Sequence, residues 1–181
     1  MGYTMTITNQ MRLGTTGVVS DLNMLGQIGV FQDQDLTTYP GAPTINSGTP
    51  VYALLVMNDS GGTLLSGLGV TFKSAYIGKR IGALSGANAI CDGIVDPALG
   101  AGITVADQAY FWLIIQGPCD VKAGAGDIAA NAEVQTLANG LFATGTAGTN
   151  PIGHVGKAVT AAASGARSRI YFRSPFAAVK P

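Results

Sequence analysis

The sequence predicts a mainly β protein, a small β-sandwich or barrel-like domain carrying an extended N-terminal arm. Three observations point there. Twenty-six glycines spread through 181 residues leave few uninterrupted stretches long enough for a helix. The apolar residues gather in runs of strand length closed by turn formers, about seven in all, as in sandwiches and small barrels. One of these runs, 109–117, is apolar almost without a break, as expected of a strand buried on both faces.

Residues 1–50 hold scattered apolar positions, several glycines, and Pro40, Pro43 and Pro50. No long amphipathic helix fits them, so they read as an arm with one or two short strands that ends in a Pro/Gly loop. The backbone donors and acceptors of such an arm need partners, and a neighbouring subunit's sheet edge would supply them. Residues 51–181 form the β-rich domain. "VYALLVMN" is its first strand, closed by Asp59-Ser60-Gly61-Gly62. "GVTFKSAYIG", between Gly69 and Gly78, is rich in β-branched and aromatic residues and reads as the second. The segment 80–99 is broken by Gly82, Gly86, Gly93 and Pro97 into short apolar pieces. "AYFWLIIQG" follows, then "CDVKAG" and "AEVQTL" as shorter strands, although alanine propensity also allows two or three helical turns over "DIAANAEVQTLANG". "HVGKAVTAAA" and "RSRIYFRSPF" close the series.

Charged residues make up 11% of the chain against 47% hydrophobic, where soluble domains carry about 25% charged. A surface so poor in charge predicts partners that cover it. The net charge is zero, which gives no general affinity for nucleic acid. The charges are nevertheless segregated: beyond Glu133 the only charged residues are Lys157, Arg167, Arg169, Arg173 and Lys180. Pairing of this basic end with the acidic remainder, head to tail or between subunits, is one reading of the asymmetry. A solvated basic strand and tail is the other. No basic segment followed by an apolar one opens the chain, and no apolar stretch approaches the about 18 residues of a membrane span, so neither a signal peptide nor a membrane helix is expected.

Each motif that could carry chemistry has a plainer reading. Gly124, Gly126 and Ala129 loosely match a dinucleotide-binding turn, but no acidic residue follows at the required distance and no strand–helix alternation surrounds them. A glycine turn with positive φ is expected instead. His154 is the only histidine, so a Ser/His or Cys/His device would have to use it, and no acid lies near it in sequence. Asp92 and Asp96, and Asp33 and Asp35, are spaced as turn formers and lack the further ligands of a metal site. Tyr110, Phe111 and Trp112 lack the interleaved basic residues of a base-stacking platform, so they belong to a core or an oligomer interface. Cys91 and Cys119 are expected as small buried apolar side chains, with a single disulfide between them left open. Asn58-Asp59-Ser60 spells a glycosylation sequon and reads as a turn, and Gly2 and Thr6 fit a myristoylation pattern that is short and common.

The stretches "ICDGIVDPAL", "GITV" and "AYFWLIIQGPCDVKAGAGDIAANAEVQTLANGLF", followed by "PIGHVGKAVTAAASGARSRIYF", resemble the head decoration (cement) proteins of tailed phages. The resemblance lies in an aromatic strand ending in a glycine, a valine-bearing turn and a small-residue step, and it places Gly117, Val121, Gly126, Gly140, Gly153 and Ala158. It covers about residues 70–175, and Asn131 stands where many members carry an acid. It implies a virion structural protein without enzymatic activity, catalytic residue, cofactor or metal. That protein binds the outer surface of an icosahedral capsid, touches the major capsid protein, self-associates as a homotrimer, and engages neither nucleic acid nor membrane. The alternative is a tail, fibre or other β-rich oligomeric adhesin.

Overall fold

A computed structural model describes residues 14, 16–18, 24–35, 44–146 and 153–175. The myristoylation pattern at Gly2 and Thr6, the loop prolines Pro40 and Pro43, and Lys180 lie outside them.

The described residues form strands β1 (Thr16–Val18), β2 (Ile28–Asp35), β3 (Thr44–Asn58), β4 (Leu64–Leu65), β5 (Gly69–Phe72), β6 (Arg80–Leu84), β7 (Gly93–Val95), β8 (Thr104–Val105), β9 (Ala109–Lys122), β10 (Glu133–Thr136), β11 (Phe142–Thr144), β12 (His154–Ala158) and β13 (Arg167–Arg173). The protein is mainly β, as the glycine punctuation predicts. The region 127–140, open to a helix by propensity, forms β10 and a short 3-10 turn instead. There β10 pairs with β11 and β12, and tertiary pairing overrides a weak local preference. The second expected strand is shorter than read: β5 stops at Phe72 and a 3-10 turn takes Ser74–Tyr76.

Strand β9 organises everything else. On one edge it pairs with β3, from Tyr52 opposite Gln116 to Met57 opposite Tyr110, and on the other it pairs with β7 through Ile114 and Leu113. Strand β7 pairs with β5, β5 with β6, and β6 runs parallel to β3, so these five strands close into a ring. Each contributes to one buried cluster: Leu54 and Val56 from β3, Val70 from β5, Ile81 from β6, Val95 from β7, and Ala109, Phe111, Leu113 and Ile115 from β9. The second half of β9 pairs with β13, which leads through β12 and β10 to β11. A bridge from Ala123 to Phe142 returns to the end of β9 and completes a second ring. Val121, Val134, Phe142, Val155, Ile170 and Phe172 fill it, in one cluster with Tyr110, Trp112 and Ile114 on the other face of β9. The unbroken apolar run thus has its predicted cause: alternate residues serve two cores. "CDVKAG" is not a separate strand, because β9 continues through Gly117, whose φ of 114° turns the strand from one ring into the other.

The boundary drawn at residue 50 falls inside β3. Within the 1–50 segment, β1 pairs with β9 and β2 pairs with β3, so the described parts of the expected arm are bound to their own chain. Phe31 of β2 meets Trp112 edge to face at 4.9 Å, a geometry that adds about 1 kcal/mol beyond area burial.

Candidate functional site

The residues singled out in the sequence are dispersed and mostly structural. At the glycine corner, neither Gly124 nor Gly126 adopts the expected positive φ. Gly124 is required for space instead: a Cβ there would lie 2.6 Å from Leu137 Cδ1. A phosphate cradle needs free N–H groups, yet Gly124 donates to the Phe142 carbonyl at 2.7 Å, Ile128 to Ala162 at 2.8 Å and Ala129 to Thr144 Oγ1 at 2.8 Å. Positive φ falls nearby on Asn131, at 62°, a conformation that asparagine tolerates better than most side chains.

His154 opens β12 opposite Gln135, with its Nε2 buried and without a hydrogen-bond partner. Among the described residues no three His, Cys, Asp or Glu side chains come together to hold a metal. Tyr110, Phe111 and Trp112 are all buried, in the two cores that flank β9.

Both cysteines are free and buried. Burial pushes the Cys91 thiol up to about 12 and raises Cys119 as well. Neither presents the thiolate that reacts. In the native protein both thiols are expected to resist an aromatic disulfide reagent at pH 8 and to react together on unfolding. Rapid labelling of the folded protein would contradict the two-ring core.

The sequon is a buried hub. Asn58 donates through Nδ2 to the carbonyls of Gly62, Val105 and Ala106 at 2.7–3.2 Å, and accepts from Ser60, so it holds the β3 turn against the strand before β9. Asp59 beside it binds Lys73 at 2.9 Å and Arg80 at 3.2 Å, and the Lys73 hydrogen bond leads the causes that lower its pKa.

The acid pairs resolve into separate roles. Asp92 accepts from the Phe72 N–H at 2.8 Å, and burial raises its pKa. Asp96, fully buried, accepts from Gly14 N at 2.6 Å and from Ala98 N at 2.9 Å. It caps the 3-10 turn at Pro97–Leu99 and fastens the residue two before β1. Burial lifts its pKa from 3.8 to about 6, against the pull of the two N–H groups and Arg167. Because the fold favours the neutral acid, this contribution to stability is complete below about pH 4 and is lost as pH rises through about 6. Stability should therefore rise as pH falls from 7 to 5, by about 1.3 kcal/mol, and Asp96→Asn should flatten that segment in urea titrations. A wild-type curve flat between pH 7 and 5 would remove this assignment. Asp33 belongs to another contact: it is buried on β2, accepts from Ser47 Oγ at 2.5 Å and pairs with Arg169. Asp35 is placed on β2, but its side chain is outside the described set.

Two arginines of the basic end, both read only as charge, prove to be connectors. Arg169 on β13 reaches Asp33 on β2 and Asp120 on β9, the latter at 3.2 Å. Arg167 donates to the carbonyls of Pro97, Ser66 and Gly100 at 3.1–3.2 Å and to the Ser66 hydroxyl. The segregated charges are thus paired within one chain at Arg169, whereas Arg167 spends its charge on backbone carbonyls and a hydroxyl.

What remains open to a partner is a sheet face. Across β2, β3, β9 and β13 the registers place Val30, Tyr52, Gln116 and Arg173 side by side. Ile28 and Val30 are each 61% exposed and Tyr171 is 45% exposed.

The described body is thus two β rings that share strand β9. It is similar in fold to the crystal structure of the head fiber gp8.5 N base in bacteriophage phi29. The TM-score is 0.50 and the identity 14%, over 67% of this chain and 93% of that one. No protein-family model matches the sequence, and no curated protein matches it.

Proposed function

We propose that the chain is a non-enzymatic structural protein of a phage virion that sits on the outer surface of the head and holds neighbouring capsomers together. The observation that carries this reading is the likeness of its fold to a phage head fibre base, which spans nearly all of that chain. The low content of charge and the exposed apolar residues on the β2 face support it. Cementing needs only contact area shared between subunits, since each bound copy shifts the equilibrium towards the assembled shell. A homotrimer contacting the major capsid protein would add avidity through several attachment points. The same likeness favours a second reading, in which the chain is the base of a fibre rather than a cement.

Light scattering after size exclusion, with and without empty phage shells, tests both. A trimer that co-sediments with shells and raises their melting temperature supports cementing. A trimer that binds shells without stabilising them favours the fibre base, and a monomer without affinity for shells overturns both. Removal of residues 1–13, which leaves β1 and β2 in the sheet, should weaken shell binding if the start of the chain reaches the shell, and unchanged binding would remove that role.

A further inference from the structure

We infer that the open face of β2, β3, β9 and β13 is the surface by which the body docks onto a protein partner that presents an apolar ridge beside carboxylates. This inference rests on the virion reading above and names the surface that does the attaching. The row Val30–Tyr52–Gln116–Arg173 runs across four paired strands, with Ile28 and Tyr171 two residues along the outer strands on the same face, displaced from the row in opposite directions. At about 4.8 Å between strands it is roughly 15 Å across. Tyr171 and Arg173, both exposed, and half-buried Tyr52 are of the residue types that concentrate binding energy at interfaces, and Ile28 and Val30 add exposed apolar area beside them.

Charge selects the partner. Arg173 is exposed and, among the described residues, forms no ion pair, and the same holds for Lys157, which stands opposite Tyr171 on β12. Arg169, between them and the seam, is already committed to Asp33 and Asp120. The row itself offers no carboxylate. Glu133 lies beyond Lys157 on β10 and forms no ion pair with it. Two copies meeting through this face would therefore set unpaired cations against each other, whereas an acidic partner surface would neutralise them. A row of this width is smaller than the about 800 Å² per partner of a standard stable interface. One contact should be weak and sensitive to salt, and tight attachment should require several copies on one shell.

The test uses the full chain and empty phage shells in a co-sedimentation assay, with the double variant Val30→Asp, Arg173→Glu. Both positions are exposed, and an unchanged melting curve checks that the fold is kept. The expected result is at least tenfold weaker binding by the variant, and weakening of wild-type binding between 50 and 300 mM NaCl. If wild type binds shells and the folded variant binds equally well, the docking face is wrong while the virion reading stands. If wild type does not bind shells at all, the virion reading fails and takes this one with it. If the variant instead loses its own oligomeric state without shells present, the face joins copies of this chain, which also overturns the inference. Tyr171→Ala, which leaves the charge untouched, should weaken binding by a smaller factor and separates packing from electrostatics.

Discussion

Arg167→Met is expected to destabilise the protein by about 3 kcal/mol, because it removes a charged donor that binds four acceptors and leaves the Ser66 carbonyl without a partner. The guanidinium leaves β13 in the second ring and lands on Ser66, Pro97 and Gly100, which belong to the loops of the first. Without it, the Ser66 carbonyl loses its donor, the Pro97 and Gly100 carbonyls are left with the donors of their own loop, and buried Asp96 loses the nearby positive charge that favours its ionised form. For a chain of this size the melting temperature should fall by about 6–12 °C. Arg167→Lys should recover only part of the loss, since a single ammonium cannot reproduce a planar fork that reaches several acceptors. An unchanged melting temperature in Arg167→Met would mean that water replaces the guanidinium and that the seam does not depend on it.

Gly117→Ala should cost a similar amount, about 3 kcal/mol, by a different route. A Cβ at this position would sit 2.6 Å from the Pro50 carbonyl oxygen and 3.1 Å from Val51 Cα, both backbone atoms of β3. The φ of 114° is itself in a region that residues with a Cβ avoid, at roughly 1–2 kcal/mol. Relief requires β3 and β9 to separate just where the chain passes from one ring to the other. Urea unfolding should show a lower midpoint with an unchanged slope, whereas Gly126→Ala, with 3.4 Å to Ala143 Cβ and no positive φ, should be nearly neutral. Equal midpoints for the two variants would show that β9 can bend without glycine.

The sequence disclosed what depends on local pattern. "AYFWLIIQG" announced a strand buried on both faces, because two cores flank it, and Asn58-Asp59-Ser60-Gly61-Gly62 announced a turn through its own chemistry. Ring closure was illegible, since it depends on pairings such as Met57 with Arg80 and Ala123 with Phe142, which no period records. The connectors were hidden for the same reason. Arg167 recognises backbone carbonyls 67 to 101 residues away, and carbonyls have no residue identity. Gly124 was misread because crowding by Leu137, rather than backbone conformation, excludes a side chain there. The docking face arises only when four strands from distant parts of the chain fall into register, so Ile28 and Val30 in sequence are simply two apolar residues in a glycine-rich segment.

The shared strand has a consequence for how the molecule comes apart. Neither ring can open along β9 without exposing residues of the other, so the two cannot melt as separate units, and a single cooperative transition is the natural outcome. Forming β9's contacts requires partners from Thr16 to Arg173 to be gathered around it, which makes assembly slow. Once closed, the same linkage leaves no half that can yield first under strain.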